Sequence, residues 1–230
     1  MHPHDAPTTH EHARTWVRRL RAAAGPSLPE VFAHKTSPEA RTAFIDTFAD
    51  DAGHRREIDR PLLAHMLGVN PGARPPGVAH EAAVWWALHD ADPRGSLAGI
   101  DLAGDERLFP SLRDVGIERW TEAEFAGVHA LSWLAGREPG AIGRSRRAAM
   151  WLMREVQPDN GTHRPWATHL FVMLAGDLSL DATDRAEADL YAQTLLHNAL
   201  AGAGRVDRFS ACILWDSAAW LEAHAGINGE

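Results

Sequence analysis

The stretch that decides the fold is Asp207-Arg208-Phe209-Ser210-Ala211-Cys212-Ile213-Leu214-Trp215-Asp216-Ser217-Ala218-Ala219-Trp220-Leu221-Glu222-Ala223-His224-Ala225. Past its opening Asp207 it carries only three fully charged residues, Arg208, Asp216 and Glu222. Apolar residues fall on nearly every side of a 3.6-residue spiral, so the segment predicts a helix that neighbours surround over much of its circumference. A helix of that kind needs other helices or a sheet around it, and no Val/Ile/Thr alternation elsewhere is long enough to predict a strand. The expected class is therefore all-α, built from antiparallel helical hairpins. Asp216 is the anomaly within it, one turn from both Ile213 and Trp220. A buried carboxylate must be paired or protonated, and the expected partners are Arg164, Arg205 or His169.

Working outward, the preceding helix is expected to start at Asp181 or Asp184 and run to Ala201, with Ala188, Ala192, Leu195, Leu196 and Ala199 inward. Gln193, Thr194 and Asn198 surround His197 on a more polar stripe. Upstream, the spacing predicts a helix over 166–174 with Pro165 in its first turn, and one over 144–156 that exposes its arginines. Another runs from a Thr121-x-x-Glu124 capping box to Gly136. Residues 94–119 read as loops with one or two short helices. Earlier helices follow an N-cap at Ser37 with Pro38 at the first helical position, the Asp59–Gly68 interval, residues 78–89, and the stripe of Ala13, Trp16, Val17 and Leu20. Residues 1–7 are expected to be a disordered lead-in. Residues 8–230 are expected to be one domain, with 71–77 (Pro-Gly-Ala-Arg-Pro-Pro-Gly) as a loop near which a subdivision would fall.

Composition narrows the function classes. The chain has 40 Ala, nine Trp, one Tyr and a single lysine, Lys35, among 230 residues. Alanine favours helix, and each buried Trp brings a large apolar ring with one N–H to satisfy. A net charge of −8 without a basic cluster argues against nucleic acid as a partner. The lone Cys212 allows neither a disulfide nor a thiolate metal cluster. No apolar run approaches the ~20 residues of a membrane span, and no signal segment is visible at the amino terminus. The expectation is a soluble cytoplasmic protein without a membrane partner.

Chemistry-bearing residues concentrate at 157–169, read as Gln-Pro-Asp-Asn-Gly-Thr-His-Arg-Pro-Trp-Ala-Thr-His. Pro158-Asp159-Asn160-Gly161 is a turn, because Asp and Asn tolerate left-handed backbone and Gly adopts it freely. A helix start beside His163 and Arg164 offers free N–H groups to an anionic or hydroxylated ligand. The candidate ligand-binding set is thus Asp159, Asn160, His163, Arg164, Trp166 and Gln193. His169, His197 and Asp216 are the candidate acid–base residues. No metal is expected. The histidines at 2, 4, 10 and 12 offer at most weak binding, and around His129, His169, His197 and Asp216 the Glu-x-x-His pairs and His-Glu-x-x-His are both missing. Asp50-Asp51 does not extend into a metal–diphosphate motif, and no Gly-x-Ser-x-Gly elbow marks a nucleophile. No cofactor is identifiable.

One segment resembles the glutamine–tryptophan repeat of triterpene cyclases: Arg147-Ala148-x-x-Trp151-Leu152, followed by Gln157 and then Gly161 and Trp166. Gln157 comes one residue late, and four residues rather than one separate Gly161 from Trp166. Trp133-Leu134 and Trp220-Leu221 repeat the start of the motif without its glutamine. The resemblance implies helical hairpins laid around a centre, a partial α/α toroid, and carries no activity. Two functions follow as expectations. One is a structural or ligand- and partner-binding scaffold with a Trp/His-rich inner surface. The other is an enzyme with a toroid-like pocket, in which Asp216, His169 and His197 handle protons and Arg164 holds an anion. Convergence of these side chains on an open cavity would separate the two.

Overall fold

A computed structural model describes residues 9–32, 36–112, 116–156, 162–202 and 204–224. The chain is all-α. Among the described residues there are nine α-helices and no strand: α1 Thr9–Ala24, α2 Pro38–Thr47, α3 Asp59–Leu67, α4 His80–Ala87, α5 Ile117–Trp133, α6 Ala141–Glu155, α7 Thr168–Ala175, α8 Ala182–Leu200 and α9 Arg208–His224. Consecutive helices α4/α5, α5/α6 and α7/α8 pack on each other, and α1 lies along α9.

Local chemistry explains the boundaries. Ser37 Oγ accepts from Ala40 N at 3.2 Å, and Pro38 takes the first helical position of α2. Asp181 caps α8 by accepting from Asp184 N at 2.8 Å. Gly68 ends α3 with φ of 63°, a left-handed backbone that glycine adopts without cost. On α1, Trp16, Leu20 and Ala24 are buried at helical spacing and face α9, where Arg21 pairs with Glu222 at 2.7 Å and stacks over Trp215. The helix α9 buries eleven of its residues, including Phe209, Ile213, Asp216 and Trp220, as its pattern predicts. One cluster of buried apolar side chains runs from Trp16 through Leu62 and Trp85 to Leu221, across the 71–77 loop.

Three local expectations are corrected. First, α7 begins at Thr168, because Ala167 is left-handed (φ 56°) and interrupts the helix expected to start at Trp166. Second, Thr121 and Glu124 form no capping box. Helix α5 begins four residues earlier, and Thr121 Oγ1 bonds back to Ile117 O at 2.8 Å. Third, the α6 arginines are not all exposed. Arg144 is buried and donates to Asp101 O and Arg107 O at 2.8 and 2.9 Å. Arg147 donates to Gly104 O and Leu102 O at 2.9 and 2.8 Å.

These bonds explain the segment before α5 that is hardest to read from sequence. Two arginines collect its carbonyls, while buried Glu124 accepts from Leu108 N at 2.6 Å and Phe109 N at 2.8 Å. Side chains of α5 and α6 thus replace the backbone pairing that a helix or strand would have supplied. Phe109 then seats against Gly127 so closely that a Cβ there would lie 2.5 Å from the ring.

Candidate functional site

Helices α5, α7 and α9 bring three titratable side chains together at the centre. His129 of α5, His169 of α7 and Asp216 of α9 are all buried. His129 Nε2 lies 2.9 Å from Asp216 Oδ2, and Trp133 Nε1 donates to the same oxygen at 2.7 Å. Ala167 N donates to His129 Nδ1 at 3.1 Å. That last bond settles the tautomer. Nδ1 must carry a lone pair, so the proton of His129 is on Nε2 and points at Asp216, and the ring is neutral. The left-handed turn at Ala167, which costs an L-residue about 1 kcal/mol, aims this N–H at the imidazole.

His169 is settled in the same way. Ser132 Oγ has one proton, which it gives to His129 O at 2.7 Å, so at 2.7 Å it accepts from His169 Nε2. His169 Nδ1 then accepts from Ser217 Oγ at 3.3 Å. Burial, followed by the neighbouring His129 and His224, holds the His169 pKa well below the ordinary imidazole value. Burial alone would push Asp216 up, but the His129 hydrogen bond and its companions outweigh it and keep the carboxyl below the usual carboxylate range. Aromatic rings close the space around them. Trp85 and Trp166 lie 5.5 Å from His129, Trp220 lies 4.8 Å from His169, and His65 lies 4.7 Å from Trp133.

The arrangement is not a Ser/His/Asp triad. Asp216 orients His129, while the serines belong to His169, and neither Ser132 nor Ser217 is exposed. Every ring nitrogen of His129 and His169 has a protein partner, so none is left to bind a substrate. Among the described residues no cluster of three or more His, Cys, Asp or Glu is arranged to hold a metal.

The remaining candidates lie elsewhere. His197 is on the exposed face of α8, away from the network. Gln193, also exposed, donates to Asp189 at 2.6 Å. Asp159 and Asn160 lie outside the described residues. His163 is exposed beside a groove it shares with Asp51, Asn198, Arg205 and Asp207. Trp166 is fully buried, its ring against Trp85, His129 and Phe209, and its Nε1 donates to Glu122 at 2.6 Å. The expected partners of Asp216 are replaced: Arg164 and Arg205 are bonded to other carboxylates, and His169 reaches Asp216 only through His129.

Arg164 leads to a second place, at the surface. Its guanidinium is 3.4 Å from Asp50 and 3.5 Å from both Glu122 and Asp207. It shares the Phe209 ring with Arg56, their Cζ atoms 4.7 and 4.5 Å from the ring centre. Together with Arg55, Glu57, Glu81, Glu118, Arg119 and Glu122 these arginines line a groove of about 550 Å³ floored by Ile58 and Ala126. Four arginines face four glutamates. Glu81 is half-buried and lies 4.0 Å from Arg119. Burial raises its pKa against the backbone N–H bond at Glu81 itself and the pull of Arg119. Its helix starts at His80 with a positive φ of 50°, a strained backbone for an L-residue.

The sequence marks His129 only as a metal candidate and Trp133 only as part of a motif echo, and it assigns no role to His65, Ser132 or Glu122. His129 and Ser132, one turn apart on α5 and both buried, are the available signal. The groove had none, being assembled from four separated segments. Comparison with protein-family models, with curated proteins and with solved structures finds no match.

Proposed function

We propose that the protein is a ligand- or partner-binding scaffold, a single domain over residues 8–230, whose Trp/His-rich interior is structural and whose binding surface is the groove between Arg119, Glu81, Glu122 and Arg164. One observation carries this reading. The His129–Asp216–His169 network is sealed, with its hydrogen-bonding capacity used internally, while four arginines and four glutamates line an open groove beside Arg164. An acid–base role for His169 and Asp216 would require an open approach that their burial does not offer, and exposed His197 lies away from both.

Other features support the reading. The core cluster crosses the 71–77 loop, as one domain requires. The contact of α1 with α9 is the one that would close a toroid-like ring of hairpins. No described helix is long and apolar enough to cross a membrane, and burial pushes the thiol of Cys212 up, which leaves it an inert packing group. A groove with equal numbers of both charges selects ligands that present both, such as amino acids or a charged peptide loop, over simple polyanions or nucleic acid.

The test is a thermal-shift screen of amino acids, dicarboxylates, sugar phosphates and mixed-charge peptides. A specific ligand at 100 times its Kd adds about 2.7 kcal/mol of stability. That shift should vanish in Arg119→Ala and Glu81→Gln and survive in Gln193→Ala. A shift that ignores the groove substitutions but is lost in His163→Ala would move the site to the neighbouring groove and sink this assignment.

A further inference from the structure

His169 is fully buried and sits one step from the groove. His169 belongs to the first turn of α7; of the residues just before it, Arg164 lies at the groove rim, and buried Trp166 and Ala167 join that rim to the core. Ala167 is tied to His129, Trp166 to Glu122, and Thr162 Oγ1 also donates to Glu122. The imidazoles of His129 and His169 lie 4.4 Å apart. The position of the rim therefore depends on the seat of α7, and that seat is built around a neutral His169.

The groups facing His169 offer no compensation for a charge. From α5 it meets His129 and Ser132. From α9 it meets Ser217, Trp220 and His224, the last stacked on Trp220 at 4.0 Å. Asp216, a carboxylate in its surroundings, is already bonded to His129 and Trp133, and the His129 proton that satisfies it also keeps His129 facing away. A proton placed on His169 thus creates a cation between one imidazole and two hydroxyls in a closed apolar space, where charge is costly.

We propose that His169 is a proton-operated latch: neutral, it seats α7 and holds the Arg164–Trp166 rim against Glu122; protonated, it releases that rim and changes the groove. This regulation rests on the groove being the binding surface, but the latch itself does not need a ligand to be seen. The direction follows from the depressed imidazole. The ordinary histidine value is 6.5 and that of folded His169 is well below it, so the contribution of the neutral ring is complete above about pH 6.5 and is lost as pH falls. Each further unit raises the released-to-seated ratio up to about tenfold.

The experiment is NMR of the intact chain, following the His169 ring nitrogens and the Trp166 indole N–H between pH 8 and 4.5 without ligand. We expect Nε2-protonated neutral His169 at pH 8, and a Trp166 N–H that shifts or broadens in step with the protonation of His169. In His169→Gln the Trp166 signal should stay put over the same range. The latch is overturned if His169 becomes charged while Trp166 is unmoved, or if Trp166 moves equally in the variant. Should the variant fail to fold, the two signals of the unaltered protein still decide it. Failure of ligands to respond to Arg119→Ala would instead remove the groove reading and leave the latch standing.

Discussion

Asp216 and Asp50 are both buried aspartates, and the molecule treats them differently. Asp50, near the surface, is met by cations and backbone: Arg56 and Arg164 on Oδ2, and the N–H groups of Ala52 and His54 on Oδ1 at 3.0 and 2.8 Å. Burial opposes its ionisation, yet the Arg56 bond and its companions bring its pKa down to about 2. Asp216, at the centre, receives only neutral donors, His129 Nε2–H and Trp133 Nε1–H. The difference is one of reach and dielectric. Arginines at the edge keep part of their charge in water while pairing inward, whereas a second full charge at the centre would add another desolvation cost. Charge is therefore matched by charge at the rim and by oriented dipoles in the core, and the two arrangements should break differently.

The largest effect should come from the centre. Asp216→Ala leaves two buried N–H donors facing a void and should cost about 3–5 kcal/mol in urea denaturation. Asp216→Asn, which retains an acceptor, should lose distinctly less. Equal losses in the two would mean that packing rather than hydrogen bonding holds this spot.

A third carboxylate extends the comparison. Glu124 meets neither a cation nor a side-chain imidazole at its closest bonds, but the backbone of Leu108 and Phe109. Glu124→Ala should cost about 3 kcal/mol, from two stranded N–H groups at roughly 1–3 kcal/mol each. It should also open the 101–109 segment to limited proteolysis while α7–α9 stay protected.

At the rim, the value near 2 for Asp50 against an ordinary 3.8 corresponds to about 2 kcal/mol of stability. Because the folded pKa is depressed, that stability is present above pH 3.8 and is lost as pH falls through the folded value. Asp50→Asn should remove it at neutral pH and flatten the acid limb of the stability curve between about pH 4 and 2. An unchanged acid limb would show that Asp50 is not the paired group.

The smallest effect belongs to the next residue. Asp51 is partly exposed and faces Arg205 at 4.0 Å and Arg208 at 3.8 Å. Arg205→Ala should change stability by no more than about 0.5 kcal/mol, and high salt should erase even that. A loss comparable to that of Asp50→Asn would mean the adjacent aspartates belong to one network and the contrast between them is false.

How far the molecule is legible in its sequence varies with the range of the interactions. The caps at Ser37 and Asp181 and the stop at Gly68 are local, involving partners within four residues, and they appear where the sequence places them. The Thr121/Glu124 pair has the letters of a cap and a different use, because Glu124 serves a loop that precedes α5 and competes better for its carboxylate. The α6 arginines look solvated by pattern, yet Arg144 is drawn inward by carbonyls 37 and 43 residues away. Asp216 stands out in the sequence as a charge needing a partner, but the partner proves to be His129, 87 residues earlier, rather than an arginine.

The sequence by itself determined that the chain is helical, that α9 is enclosed, and that Asp216 cannot stand alone there. Periodicity, caps and the cost of a buried charge are properties of a segment and need no knowledge of its neighbours. Only the tertiary structure decided which groups satisfy that charge, that His169 joins the network while His197 does not, and that a groove of mixed charge forms beside Trp166. Those outcomes depend on how α5, α7 and α9 cross and on where a left-handed Ala167 points its N–H. That geometry is set by packing across the whole core.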